Sequence, residues 1–315
     1  MTSSILVVRL GAMGDVIHAL PAAASLKQSF PHCHLAWVID PRWAPLLDGN
    51  KFVDQVIPLN RRSWASIREA WGRLRAVRFD LAVDFQGLIK SALVASAARA
   101  GRIVGYHISQ LREVTAAIFY SKSFRAHARH IVDRHLELAA AAGATSVLKV
   151  FPVPEGEPEG QLPESGYVLA SPFAGWTAKE WPIEYYSELA RILKQHTGLP
   201  LVLNGHPGAA GKLQAVEGVV THISSIAGLI HATRHARAVV GVDSGPLHLA
   251  AALAKPGVAI FGPTDPARNG PYGDHMVVLR AASAQTTYKR HQAHDDSMRA
   301  ISPDQVAQAL VRQLQ

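Results

Sequence analysis

An α/β fold made of two doubly wound halves is predicted from three observations. Short apolar runs alternate with helical patterns along most of the chain, the mark of strand–helix–strand units and a parallel sheet. The alternation stops across residues 152–166, a stretch rich in Pro, Glu and Gly that reads as a linker, and then restarts. Several loops that follow the apolar runs carry Asp, Ser, Lys or His, at the carboxyl edge where open α/β sheets bind ligands.

Taken in order, residues 5–8 are a buried strand, followed by a loop and a helix over about 16–29. Apolar runs at 35–39, 55–59, 81–84 and 101–105 read as further strands, with helices at 91–100 and 130–142 between them. Beyond the linker come a strand at 167–170, a helix from Pro182 to about Gln195, and strands at 201–205 and 219–223. A helix near 225–236 and strands at 238–242 and 258–262 follow. Ser302 as cap and Pro303 in the first turn open a last helix ending at 314. The expected domains are 1–155 and 156–315, with the default ligand site in the cleft between them.

With 315 residues, 48% of them hydrophobic, the chain can fill two cores. Its one cysteine, Cys33, excludes a disulfide framework and fits a reducing cytosol. Residues 1–10 pass straight into a strand pattern, so no secretory leader is expected, and no apolar run has the length of a membrane span. The net charge of +8 is lopsided: residues 1–155 hold 19 Lys+Arg against 11 Asp+Glu, and the remainder 13 against 13. Arg61, Arg62, Arg68, Arg73, Arg75 and Arg78 form the densest group, opposed by Glu69. Such a group is either a solvated helix face or a contact for an acidic partner: an anionic lipid surface, a phosphorylated substrate or nucleic acid. No zinc-finger or aromatic RNA-binding motif supports nucleic acid, which is not expected as a partner.

The motif richest in chemistry is Asp243-Ser244-Gly245-Pro246-Leu247-His248, directly after the run 238–242. Ser244 suits an N-cap, Gly245 lets a ligand approach the backbone, Pro246 suits a first turn, and His248 lies within that turn. A helix start of this kind is an anion site. The loop 10–18 offers Asp15 at a helix start, either as a complement to the helix dipole or as a general base. A dinucleotide loop would need glycine at positions 13 and 16, which hold Met13 and Val16, and so NAD binding is not expected despite Asp40. In Asp84-Phe85-Gln86-Gly87-Leu88-Ile89-Lys90-Ser91, Gln86 suits a substrate contact and Lys90 an anion, while Asp84 suits a cap. Lys179, just before Pro182, can add a point charge to a phosphate cradle, and Thr264 with Asp265 places a hydroxyl and a carboxylate after the run 258–262. The histidine pairs His231/His235, His127/His130 and His291/His294 lack the glutamate of a zinc-hydrolase helix and read as ordinary histidines.

Together these motifs resemble the heptosyltransferases of lipopolysaccharide core assembly, glycosyltransferase family nine. The matching pieces are the stretches 13–21, 84–91, 179–182, 243–248 and 262–266, in family order, and the stretch 112–120 is most similar to the enzymes acting first in that pathway. The resemblance implies a GT-B fold, with the acceptor on the first domain, the nucleotide sugar on the second and the last helix, 302–315, packing back on the first. It implies inverting transfer of L-glycero-D-manno-heptose from ADP-heptose to the Kdo of Kdo–lipid A, with no cofactor and no required metal. Asp15 would be the base. Lys179, Ser244, Gly245, His248 and Thr264 would hold the donor diphosphate, and Asp243 its sugar or ribose. Arg61, Arg62, Gln86, Lys90 and Arg112 would meet the acidic acceptor. A monomer in the cytoplasm, peripheral to the inner membrane, is expected. One departure is visible: relatives often carry a ribose-contacting glutamate after the strand 201–205, where this chain has no acid before Glu217. A second heptosyltransferase, a transferase using another nucleotide sugar and a non-catalytic nucleotide-binding module are the alternatives.

Overall fold

The computed structural model describes residues 2–287 and 295–315. The chain forms two compact units, Met1–Pro154 and Glu155–Gln315.

The first unit contains β1 (Ser4–Val8), α1 (Met13–Ser29), β2 (His34–Ile39), β3 (Gln55–Pro58), α2 (Trp64–Ala76), β4 (Leu81–Asp84), α3 (Ile89–Ala97), β5 (Arg102–Tyr106), β6 (Lys122–Phe124) and α4 (Ile131–Ala142). All strands pair in parallel, in the order β3-β2-β1-β4-β5-β6. Every residue of β1 is buried, because β2 and β4 flank it and helices cover both faces; a continuous apolar run is what that position needs. Helix α1 begins at Met13, earlier than its apolar pattern suggests, because Ala12 at its cap carries no polar side chain to mark the start.

The second unit contains β7 (Val168–Ser171), α5 (Ile183–Thr197), β8 (Leu201–Gly205), α6 (Ala210–Gln214), β9 (Val220–Ile223), α7 (Ile226–His235), β10 (Ala238–Val242), α8 (Gly245–Ala252), β11 (Gly257–Phe261), α9 (Pro266–Asn269), β12 (Met276–Arg280), α10 (Asp296–Arg299) and α11 (Pro303–Leu314). Its sheet is also parallel, ordered β12-β11-β10-β7-β8-β9. Read from the β9 edge, this is the order of the first sheet, with β7 in the place of β1 and β10 in the place of β4.

The last helix helps close the core of its own unit. Its apolar residues Val306, Ala307 and Leu310 lie there with Trp181, Tyr186, Leu189 and Leu193. Its apolar stripe, Val306, Ala307 and Leu310, recurs at helical spacing and packs on α5, and the Trp181 indole N–H donates to the Ile301 carbonyl oxygen just before the helix (2.9 Å). Ser302 caps the helix as its sequence suggests, accepting from the Gln305 N–H at 3.2 Å.

Candidate active site

In the second unit, functional side chains gather at the carboxyl ends of three neighbouring strands, β7, β10 and β11. Asp243 ends β10 and is buried. Its Oδ2 accepts from Lys179 Nζ at 3.0 Å, and its Oδ1 lies 3.4 Å from His248 Nε2. Lys179 reaches it from the short 3₁₀ turn Thr177–Lys179 after β7, and its ammonium also lies over the Trp176 ring, 5.7 Å from the centroid. Burial alone would raise the Asp243 pKa, but the His248 hydrogen bond and the Lys179 charge outweigh it and hold the carboxyl well below the usual range. Both Asp243 oxygens are therefore engaged by side chains that the sequence separates by 64 and 5 positions.

Ser244 stands at the N-cap of α8, yet its side chain makes no cap hydrogen bond and its Oγ is buried with no partner. Buried hydroxyls are ordinarily paired. Thr264 Oγ1, after β11, is in the same condition, whereas Asp265 caps α9 by accepting from the Ala267 N–H at 3.0 Å. Two unsatisfied hydroxyls beside a helix start and a lysine suit a ligand rich in acceptor oxygens.

In the first unit, Asp15 lies in the first turn of α1. Its Oδ2 accepts from the Ala12 N–H at 2.9 Å, so it does stabilise the helix start. Its Oδ1 pairs with Arg9 Nη2 at 2.6 Å, and the side chain remains 43% exposed, open to a reacting group. Arg9 is buried and anchored by donating from Nη1 to the Phe85 carbonyl oxygen at 2.6 Å. Sequence reading missed Arg9; the available signal was a charged residue directly after the apolar run 5–8 of β1. Gln86 ties the same two loops together, its Oε1 accepting from the Leu10 N–H at 2.9 Å. Gly11 keeps the loop compact: at φ +146 it lies against Trp43, and a Cβ there would meet the indole at 2.7 Å.

Lys90 is half-buried, and its pKa is lowered, first by burial and then by Arg61, with Arg9 and Arg112 adding to the effect against Glu113. The structure thus brings Arg61, Lys90 and Arg112 into one field, with Arg9 beside Asp15. Arg62 is exposed, and its backbone N–H donates to Asn60 Oδ1 at 3.0 Å. Asp84 is fully buried and accepts from the Gln86 and Gly87 N–H groups, Ser91 Oγ and Tyr120 O–H. It organises the loop that holds Lys90, a role wider than a cap.

Among the described residues, no three His, Cys, Asp or Glu side chains gather as a metal site. The His231 and His235 rings are 4.1 Å apart, with His235 Nδ1 against the His231 carbonyl oxygen. His291 and His294 lie outside the described residues. No described helix is long and apolar enough to cross a membrane.

Comparison with known proteins extends this geometry. The lipopolysaccharide heptosyltransferase 1 of Pseudomonas aeruginosa is 32% identical over 87% of this chain and 83% of its own. The enzyme of the same name from Escherichia coli K12 is 29% identical over 88% of this chain and 93% of its own. The solved E. coli heptosyltransferase WaaC with ADP superposes with a TM-score of 0.79 at 27% identity, covering 97% of this chain and 98% of that one. The two parallel sheets have the GT-B fold of these enzymes. The model of glycosyltransferase family 9 (heptosyltransferase) matches residues 67–298, and the chain belongs to that family of glycosyltransferases.

Proposed function

We propose that the protein transfers L-glycero-D-manno-heptose from ADP-heptose to the Kdo of Kdo–lipid A, with inversion at the anomeric carbon, at the cytoplasmic face of the inner membrane. The observation that carries this reading is the second-unit cradle: the buried Lys179–Asp243–His248 cluster beside the partnerless Ser244 hydroxyl at the head of α8. It suits a diphosphate, and the relatives named above are heptosyltransferases, one of them solved with ADP.

The chemistry follows from the residues. Asp15 accepts the proton of the acceptor hydroxyl as its oxygen attacks the anomeric carbon. The bond from that carbon to the β-phosphate oxygen breaks, and ADP leaves with the electron pair. Lys179, His248, the Ser244 and Thr264 hydroxyls and the amides at Ser244 and Gly245 stabilise the charge gained by the phosphate. Asp243 holds Lys179 and His248 in place and meets the donor's sugar or ribose. Arg61, Arg62, Lys90 and Arg112 hold the acidic acceptor, with Gln86 fixing the loop. Domains 1–155 and 156–315 divide these tasks as acceptor and donor carriers.

The test is ADP release from ADP-heptose with and without Kdo–lipid A, in the presence of EDTA. Acceptor-dependent release supports the reading and its independence of a divalent cation. Binding of ADP-heptose without release would assign a later core intermediate as acceptor; absence of binding would overturn the donor.

A further inference from the structure

Exposed apolar surface is distributed as unevenly as charge. Of the ten large apolar side chains most exposed among the described residues, nine belong to the first unit and only Val278 to the second. Seven of the nine lie on α2, α3 and the 3₁₀ turns Ile108–Gln110 and Val114–Phe119. Trp64 is 86% exposed and Ile118 79%, far beyond the scattered exposure of single residues on a soluble surface.

These residues are organised. On α2 the positions 64, 68, 71 and 75 share one stripe and alternate Trp64, Arg68, Trp71, Arg75, while Ala70 and Leu74 on another face are buried in the core. The Arg75 guanidinium lies over the Trp71 ring at 4.4 Å and donates from Nε to the Ala97 carbonyl oxygen at the end of α3, tying the two helices together. Helix α3 presents Leu93 one turn beyond Ile89, whose N–H donates to Glu113 Oε2 at 2.8 Å, next to Val114. The 3₁₀ turn Val114–Phe119 packs on α3, so the exposed Ile118 and Leu93 stand on neighbouring elements. Exposed Arg61, Arg62, Arg68 and Arg112 lie on or just before these elements.

Protruding tryptophan and aliphatic side chains interleaved with arginines fit the boundary between headgroups and acyl chains of an anionic bilayer, where the rings enter the interface and the cations meet lipid phosphate. We propose that α2, α3 and the turn Val114–Phe119 form the surface by which the protein docks on anionic lipid. This rests on the reading that the acceptor is membrane-borne: Arg61 and Arg112 lie just before α2 and the turn Val114–Phe119, Lys90 lies in the first turn of α3, and docking would deliver a lipid-anchored sugar to them. The polar and apolar components act together, since one weak anchor gives only marginal membrane binding.

The test is co-sedimentation of the full chain with acceptor-free vesicles, of phosphatidylcholine alone or mixed with phosphatidylglycerol. The wild type is expected to bind the mixed vesicles, and a Trp64→Ser/Leu93→Ser/Ile118→Ser variant at least about tenfold more weakly. Arg68→Gln, which leaves the apolar groups intact, is expected to weaken binding severalfold and to reduce its salt sensitivity. Unchanged turnover of a delipidated, water-soluble Kdo acceptor by both variants, with reduced kcat/KM on vesicle-borne acceptor, would support docking and verify that the variants fold. Equal binding of wild type and triple variant, equal binding to neutral and anionic vesicles, or no vesicle binding at all would overturn it. A wild-type dimer that the triple variant converts to monomer would overturn it in favour of a contact between copies. Absence of transfer by the wild type alongside intact, variant-sensitive vesicle binding would instead overturn the transferase reading and leave the docking surface standing.

Discussion

Asp84 and Asp243 occupy equivalent places in two copies of one topology, at the carboxyl ends of β4 and β10, and both are buried. Asp84 is surrounded by neutral donors: two backbone N–H groups, the Ser91 hydroxyl and the Tyr120 phenol. Burial dominates there and pushes its pKa up. Asp243 faces Lys179 and His248, and their favourable interactions overcome the same burial and push its pKa down. Position in the fold brings a carboxylate to the sheet edge; the neighbours decide whether it braces a loop or orders a cationic cradle.

Neutralising each acid breaks the comparison at its strongest point. Asp243→Asn leaves the little-exposed Lys179 ammonium without its counter-charge and is expected to cost about 3 kcal/mol or more of stability at neutral pH. Asp84→Asn should cost nearer to about 1 kcal/mol, because the hydroxyls of Ser91 and Tyr120 can turn to accept from the new amide. Denaturant unfolding of the pair measures both, and equal costs would erase the distinction. The pH dependence sharpens it. The lowered Asp243 pKa contributes stability that is present above the ordinary value of 3.8 and lost as pH falls. The raised Asp84 pKa works in the opposite sense, favouring the fold in acid and losing that contribution as pH rises. The advantage of wild type over Asp243→Asn should therefore shrink in acid, and that over Asp84→Asn grow.

Lys90 extends the contrast to the first unit, whose cations repel one another instead of sharing a buried counter-ion. Burial, Arg61, Arg9 and Arg112 make its proton easier to lose, below the ordinary lysine value of 10.5. A bound acidic acceptor restores that proton. The acceptor KM is expected to rise at alkaline pH, and Lys90→Gln should raise KM about tenfold at neutral pH and remove the alkaline rise. The smallest effect concerns the second unit alone. Ser302→Ala removes a cap of α11 and should cost about 1 kcal/mol, with amide exchange accelerating in α11 and α5, which share a core.

Much of this was legible in the chain itself. Fully buried central strands such as β1, β7 and β10 must be continuous apolar runs, and they read as such. Two of the four edge strands escaped while β3 and β9 were read: β6 is three residues long and largely exposed, and β12 is only partly buried, so neither carries a strong pattern. Helix α2 was visible only as a cluster of arginines, its narrow core-facing stripe hidden among them. The stretch 243–248 stands out in the chain because Asp243, Ser244, Gly245 and His248 are local. Arg9 supporting Asp15, Tyr120 reaching Asp84 across 36 positions and Gln86 joining two loops are products of tertiary packing, which no local motif encodes. The last helix carried an unambiguous apolar stripe but no indication of which core would receive it.

The division of labour between a carboxylate in the first unit and a cradle in the second is tested most directly with Asp15→Asn. ADP-heptose affinity is measured by calorimetry and acceptor-dependent ADP release by turnover on the same preparation. Unchanged donor binding with turnover lowered by at least about a hundredfold is the expected result. An Asp15→Asn protein that turns over at the wild-type rate would contradict it.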